Sequence, residues 1–386
     1  MKRFLTILIL TVIAVPGFAY DWTSRTNEEL RSEMLDYCDT FIKETKGSPV
    51  SKQVRRFAKK QAKIAAGQPY AWIDATIQFV TELEKKNAPV VNGNSLEATI
   101  RRHMFRLLDF PLHVDNKRAD CPEAEKQAFA QATAKYLRDA ADKALKFIDG
   151  PAPAPGTLAL CKVYNMGYII RTSERTFLLD VKWNGTAEEA AHIASKSDVF
   201  FLTHPHGDHY NPVMLNAMAA AGKTIVLPCR GMGDFPWNDN CILIEDDVTE
   251  AMEIEGIKVL TVFGNQGIKI PNNVYHLSFD GWAIIGQGDN KVWQKQNMLA
   301  DYPASDVIIS PVWNGMKNLF TPAMQACKDG KLPVYLTSHE NELGHTVDHR
   351  ESYWELFNRQ DRLADPSYPY PPVKLLGIGE CQYFTK

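Results

Sequence analysis

Apolar residues recur three and four positions apart along NEELRSEMLDYCDTFIKE (27–44) and EKQAFAQATAKYLRDAADKALKFI (125–148), with charges on the opposite side. That is the spacing of amphipathic helices, and it predicts a helical region from about residue 27 to 147. The pattern stops at DGPAPAPG (149–156), where three prolines in five residues forbid a continuing helix. Beyond it, short β-branched and apolar runs alternate with helical stretches. CKVYNMGYIIRT and RTFLLDVKW meet at a polar turn and predict a hairpin. Then come helix TAEEAAHIASK, strand DVFFLTH, helix PVMLNAMAAA, strands KTIVLP and IKVLTVF, and the strand pair VYHLSFDGWAIIGQGD. Helix KVWQKQNML, strand DVIISPV, helix TPAMQACK, strand PVYLTSH and helix DHRESYWELFNR complete the series. Strands alternating with helices imply an α/β unit over 151–386, preceded by an all-helical domain over 20–150.

Composition adds three things. With 45% apolar residues in 386, the chain can bury two cores. A net charge of −3, without a basic stripe, argues against nucleic acid. The start, MKRFLTILILTVIAVPGFA, has Lys2 and Arg3 ahead of an apolar run from Phe4 to Val15, and then the small Gly17 and Ala19. This reads as a secretory signal over 1–19, because the run falls short of the roughly 20 residues that span a bilayer. An exported protein, periplasmic or secreted, without stable membrane insertion is expected. Export permits disulfides, and Cys229 and Cys241 bracket the loop CRGMGDFPWNDNC that one bridge would tie.

The densest chemistry is FLTHPHGDHYNP (201–212), which places His204, His206, Asp208 and His209 in six residues after an apolar strand. Side chains at i and i+2 of an extended loop point the same way. His204 and His206 can therefore converge on one point while Asp208 and His209 reach a second. Neutral imidazoles and carboxylates are zinc ligands, and two adjacent points suit a two-metal site.

The H-x-H-x-D-H motif resembles that of the metallo-β-lactamase superfamily, and the resemblance extends over Thr157 to Lys386. It implies an αββα sandwich of two mixed sheets between helices, with a dinuclear site, usually zinc, at one edge; manganese or iron would also suit. It makes Asp180, in TFLLDV, a structural aspartate, and Asp289, in IIGQGD, a carboxylate bridging both metals. His339, closing VYLTSH, becomes a ligand of the second metal. One expected histidine is missing. Counting back 24 residues from Asp289 lands on Asn265, and the nearest histidine, His276, reads as a strand residue and not a ligand. Asn265, water or nothing then takes the missing position at the first metal, with Asn265 a candidate rim contact. His345, in SHENELGHTVDHRESY, is a candidate rim or substrate contact, whereas Asp348 with Glu351 resembles a capping box that would put His349 on a helix surface.

The resemblance implies an exported metal-dependent hydrolase, in which a metal-bound hydroxide oriented by Asp208 and Asp289 attacks a lactone, ester or phosphodiester. The layout is most like the branch containing L-ascorbate-6-phosphate lactonase. The competing expectation is a degenerate member that holds metal or ligand without turnover. A third is that the helical domain, whose LEATIRRHMFRLLD stretch is amphipathic and basic, recruits a protein partner or covers the site.

Overall fold

The computed structural model describes residues 20–64, 67–230, 235, 237–267, 269–291, 295, 297–311, 332–363 and 372–386. The secretory signal expected at 1–19 and the helix expected at 321–328 lie outside the described residues, as do four of the nine positions of the one expected at 291–299, whose end forms a short 3-10 turn (Asn297–Asp301).

Five helices come first: α1 (Asn27–Glu44), α2 (Pro49–Gln61), α3 (Pro69–Glu84), α4 (Leu96–Leu112) and α5 (Glu123–Asp149). Their starts follow from local chemistry. Thr26 and Glu29 form a reciprocal capping box on α1, Ser48 and Ser95 cap α2 and α4, and prolines open α2 and α3.

The first sheet holds seven strands: β1 (Thr157–Tyr164), β2 (Gly167–Arg171), β3 (Thr176–Leu179), β4 (Val199–Phe201), β5 (Thr224–Leu227), β6 (Cys241–Leu243) and, at the other edge beside β1, β14 (Cys381–Thr385). Helices α6 (Ala187–Ser195) and α7 (Pro212–Ala220) connect β3 to β4 and β4 to β5, and those pairs are parallel. The second sheet runs β13 (Val373–Leu375), β12 (Val334–Ser338), β11 (Val307–Pro311), β10 (Trp282–Gly286), β9 (Ile270–Phe279), β8 (Ile257–Gln266) and β7 (Val248–Ile254).

The burial pattern defines four layers. Leu160, Tyr168, Phe177 and Val226 of the first sheet meet Val259, Leu277, Ile284 and Ile309 of the second in one apolar cluster. Each such side chain contributes roughly 1.5–3 kcal/mol by leaving water. Helices α6, α7 and the end of α5 cover the outside of the first sheet. Helices α1 to α4, the start of α5 and α8 (Tyr353–Leu363) pack with the outside of the second. This is the expected αββα sandwich with its preceding helical region.

The hydrophobic core crosses the prolines at 151–155. Phe41, Trp72 and Phe105 belong to the same cluster as Val262, Ile308 and Val373. Val91 N–H donates to the Val373 carbonyl at 3.1 Å, and Leu375 N–H to that of Pro89 at 2.9 Å. Arg101, fully buried on α4, donates to the Leu375 carbonyl and pairs with Glu380. Its neighbours are also engaged: Arg102 donates to the carbonyls of Val91 and Gly93, and Arg106 lies over Trp354 and Phe357. The basic residues of LEATIRRHMFRLLD thus clamp this helix to the rest of the chain. Because Pro151, Ala152, Ala154 and Pro155 are exposed, limited proteolysis should nick there, but the two fragments should co-elute on size exclusion until denaturant is added. Separation without denaturant would mean that the shared core does not hold them.

The bridge expected between Cys229 and Cys241 is not formed. The parallel β5–β6 register sets Cys241 opposite Ile225, four residues short of Cys229. At about 3.3 Å per residue along a strand, that offset exceeds the reach of a disulfide.

Candidate metal centre

Every expected ligand lies just beyond the C-terminal end of a strand, at one edge of the sandwich. His204, His206, Asp208 and His209 fill the turn between β4 and α7, which is closed by Asn211 capping α7 through Met214 N–H. Asp289 follows β10, and His339 follows β12. Gly288, at φ +56°, brings the β10 end against the histidine turn: a Cβ there would stand 2.5 Å from Thr203 Oγ1 and from Asn272 Oδ1. Asn272 Oδ1 also receives Asp289 N–H at 2.8 Å, which fixes the carboxylate's direction.

Two donor groups result, each with its ligand atoms within 4.8 Å of one another. A four-donor group comprises Asp208, His209, Asp289 and His339; a three-donor group comprises His204, His206 and Asp289. Asp289 belongs to both, as expected of a bridging carboxylate. His339 Nε2 stands 3.1 Å from Asp208 Oδ2 and 3.3 Å from Asp289 Oδ2, and His209 Nε2 stands 3.5 Å from each carboxylate. His204 Nε2 is 3.7 Å from Asp289 Oδ2, and the His206 ring lies 4.7 Å from the His204 ring.

The residues fit divalent metal. His204 Nε2, His209 Nε2 and Asp289 Oδ1 are buried without a hydrogen-bond partner, an arrangement that is costly unless a ligand completes it. Their other atoms are occupied. Asp180, buried at φ +50°, accepts His209 Nδ1–H at 2.9 Å, Thr203 N–H at 2.7 Å and Thr203 Oγ1–H at 2.6 Å. Accepting from Nδ1 leaves the Nε2 lone pair of His209 facing the carboxylates. The structural aspartate is thus the group that aims His209. Asp180→Asn keeps a residue that tolerates this backbone but weakens the acceptor. Zinc affinity of the four-donor group should fall ~10–100-fold in chelator competition. An unchanged affinity would show that His209 is aimed by packing alone.

The charges agree with a site built for cations. Burial lowers the pKa of His209, but the carboxylates of Asp289, Asp180 and Asp208 outweigh it and lift it to about 10. His339 is raised in the same way, above all by Asp289. Burial works against ionisation of Asp208 and Asp289, yet His209 and His339 hold both below the usual carboxylate range. His204 and His206 are pushed down by burial, so the three-donor imidazoles are neutral. Without metal, two protons take the place of cations among the carboxylates.

Three residues were invisible to sequence reasoning. Asn165, in the β1–β2 turn at φ +47°, donates from Nδ2 to Asp208 Oδ2 at 2.9 Å. Gln266, and not Asn265, reaches the centre: its Nε2 donates to Asp289 Oδ2 at 2.9 Å. Asn265 engages through its backbone, with Asn290 Oδ1 and Lys291 N–H. Successive residues of a strand face opposite ways, so the one-residue offset decides which amide points at the site. Asp109, on α4, is the third.

His276 lies apart, fully buried with Nε2 2.8 Å from the Pro303 carbonyl and its ring against Tyr302. His345 is half-buried, with its ring 6.0 Å from that of His339, at the rim. Glu340 pairs with Lys162 at 3.0 Å, and Glu342 accepts from Tyr164 Oη–H and His345 N–H. Both acids hold the loop. His349 lies exposed in a short 3-10 turn, Val347–His349, and the helix after it, α8, starts behind Ser352, which accepts Glu355 N–H, and not behind Asp348 as expected.

No family model matches the sequence, and no curated protein matches it significantly. Among solved structures, it is similar to a metallo hydrolase from the hyperthermophilic archaeon Ignicoccus hospitalis, at 16% identity and TM-score 0.43, over 60% of this chain and 99% of that one. It is similar to the metallo-beta-lactamase fold protein YhfI from Bacillus subtilis, at 10% identity and TM-score 0.41, over 59% and 100%. A third likeness, to CmlA, a diiron beta-hydroxylase from Streptomyces venezuelae, has 11% identity and TM-score 0.41 over 95% and 94%. Likenesses this distant transfer no residue role, and every assignment above rests on this chain's own geometry.

Proposed function

We propose that this protein is an exported metal-dependent hydrolase of the metallo-β-lactamase superfamily, acting on a small lactone, ester or phosphodiester. The observation that carries the reading is the pair of donor groups sharing the buried Asp289, with Nε2 of His204 and of His209 turned inward and unsatisfied. Two divalent ions, of which zinc best suits so many imidazoles, would supply Lewis acidity and a water acidified to near neutral pH. The chain's own residues do the rest. Asp208 is the more open carboxylate, with 9% of its side chain accessible against 1% for Asp289. It stays ionised beside His209 and His339, so it can take up and orient a proton from the attacking water. Asn165 holds that carboxylate by its Oδ2. His206, half-buried, and His345 flank the opening where a carbonyl or phosphoryl group would enter.

The test is a screen of purified protein, loaded with Zn²⁺ or Mn²⁺, against generic lactone, phosphodiester and β-lactam substrates. Turnover of one class, abolished by chelation and by Asp208→Asn, is expected. A second reading has one observation in its favour: with Gln266 in place of a histidine, the three-donor group is a donor short. Stoichiometric metal binding without turnover of any class would establish that reading, a binding protein on a hydrolase fold.

A further inference from the structure

We infer that the N-terminal helical region positions the four-donor metal group, and that Asp109 on α4 is the positioning residue through which it acts on His339. The inference rests on the metal-centre reading above.

The loop after β12 carries His339 in a left-handed conformation, φ +76°, and two residues later Asn341 at φ +52°. Neither is glycine, and side chains rarely hold such backbone unless the surroundings impose it. The surroundings here come from α4. Asp109 is fully buried. Its Oδ1 accepts from Asn341 Nδ2 at 2.8 Å and from Tyr353 N–H at 3.0 Å, and its Oδ2 from Trp354 N–H at 2.9 Å. One carboxylate therefore ties the ligand loop to the start of α8 and both to α4. A helix cap alone would not need Asn341.

Two more contacts from the same region hold the far side of the loop. Arg350 Nη1 donates to the Leu112 carbonyl at the end of α4, while Lys117 Nζ donates to the Gly344 carbonyl at 2.6 Å. Arg350 also donates from Nε to the His345 carbonyl. The loop is thus fastened at Asn341, Gly344 and Arg350 by residues that sequence order places in a separate helical region. Metal ligands are commonly held by outer partners whose loss costs ~10–100-fold in affinity; here those partners lie in the helical layer.

The decisive variant is Asn341→Gly. It removes the tether to Asp109 while φ +52° suits glycine, so the metal-free protein should lose only a modest part of its stability and stay folded at the temperature of the titration. Zinc affinity of the four-donor group, measured by chelator competition, should fall at least about tenfold. With Co²⁺ as probe, the absorption component lost in His339→Ala should weaken, and that lost in His206→Ala should persist. Asp109→Asn should act in the same direction. Wild-type affinity and spectra in Asn341→Gly would overturn the inference while leaving the metal centre intact. Failure of the wild-type protein itself to bind Zn²⁺ or Co²⁺ would overturn the metal-centre reading, and this inference with it.

Discussion

Asp289→Ala is expected to strip the protein of both metal equivalents, the largest loss from any single side chain, because among the described residues Asp289 alone belongs to both donor groups. Elemental analysis after dialysis should find close to none left. His206→Ala, confined to the three-donor group, should lose about one equivalent. His276→Ala should lose none, although imidazole is the commoner zinc ligand. Its ring is spent on Pro303 and Tyr302 within the outer face of the second sheet. Its cost should appear as a lower melting temperature, since a buried hydrogen bond and ring packing are lost together. Loss of metal in His276→Ala equal to that in His206→Ala would mean that β9 runs in a different register.

The second large effect should be a gain. Gln266→His is expected to raise zinc affinity of the three-donor group by at least about tenfold, the scale on which even outer partners act. Gln266 already reaches Asp289 Oδ2 with its amide. An imidazole from the same strand position would bring that group from three protein donors to four, the number that closes a tetrahedral zinc site. Competition titration with a chromophoric chelator should turn two unequal steps into two similar ones. Activity can move the opposite way, because a closed coordination shell leaves less room for substrate. No change in either step would show that position 266 reaches the carboxylate but not the metal.

The parts of this architecture legible in the sequence are those written in short strings. His204 to His209, Asp180, Asp289 and His339 each follow an apolar run, and a strand end is where the fold brings such residues together. The alternation of strands and helices was legible because the longer strands are strongly apolar, and the αββα arrangement was implied by the resemblance that the histidine motif carries. What escaped has no string. β6, β7, β13 and β14 are short or exposed; in β7 only Ile254 is buried, which leaves no clean alternation. Asn165, Gln266 and Asp109 are single polar residues whose importance comes from partners 43, 23 and 232 positions away. The periodicity of α1 to α4 says that one face of each is buried, but not that the second sheet helps to bury it. The missing Cys229–Cys241 bridge has the same origin: bracketing a loop is a sequence property, whereas strand register is not.

The shared core also has a consequence for the order of events during folding. The helices near the start of the chain are completed by β13 near its end: Arg101 reaches the Leu375 carbonyl across 274 residues, and Val91 meets Val373. Contacts of such separation must await loop closure, and they slow folding in proportion to their share of the whole. Until β13 has been made, α1 to α4 have their own partners but not the completed edge of the second sheet, and apolar surface stays open to water and to other chains. Slow acquisition of structure, with the helical layer docked on the second sheet only at its end, is expected from the chain's topology.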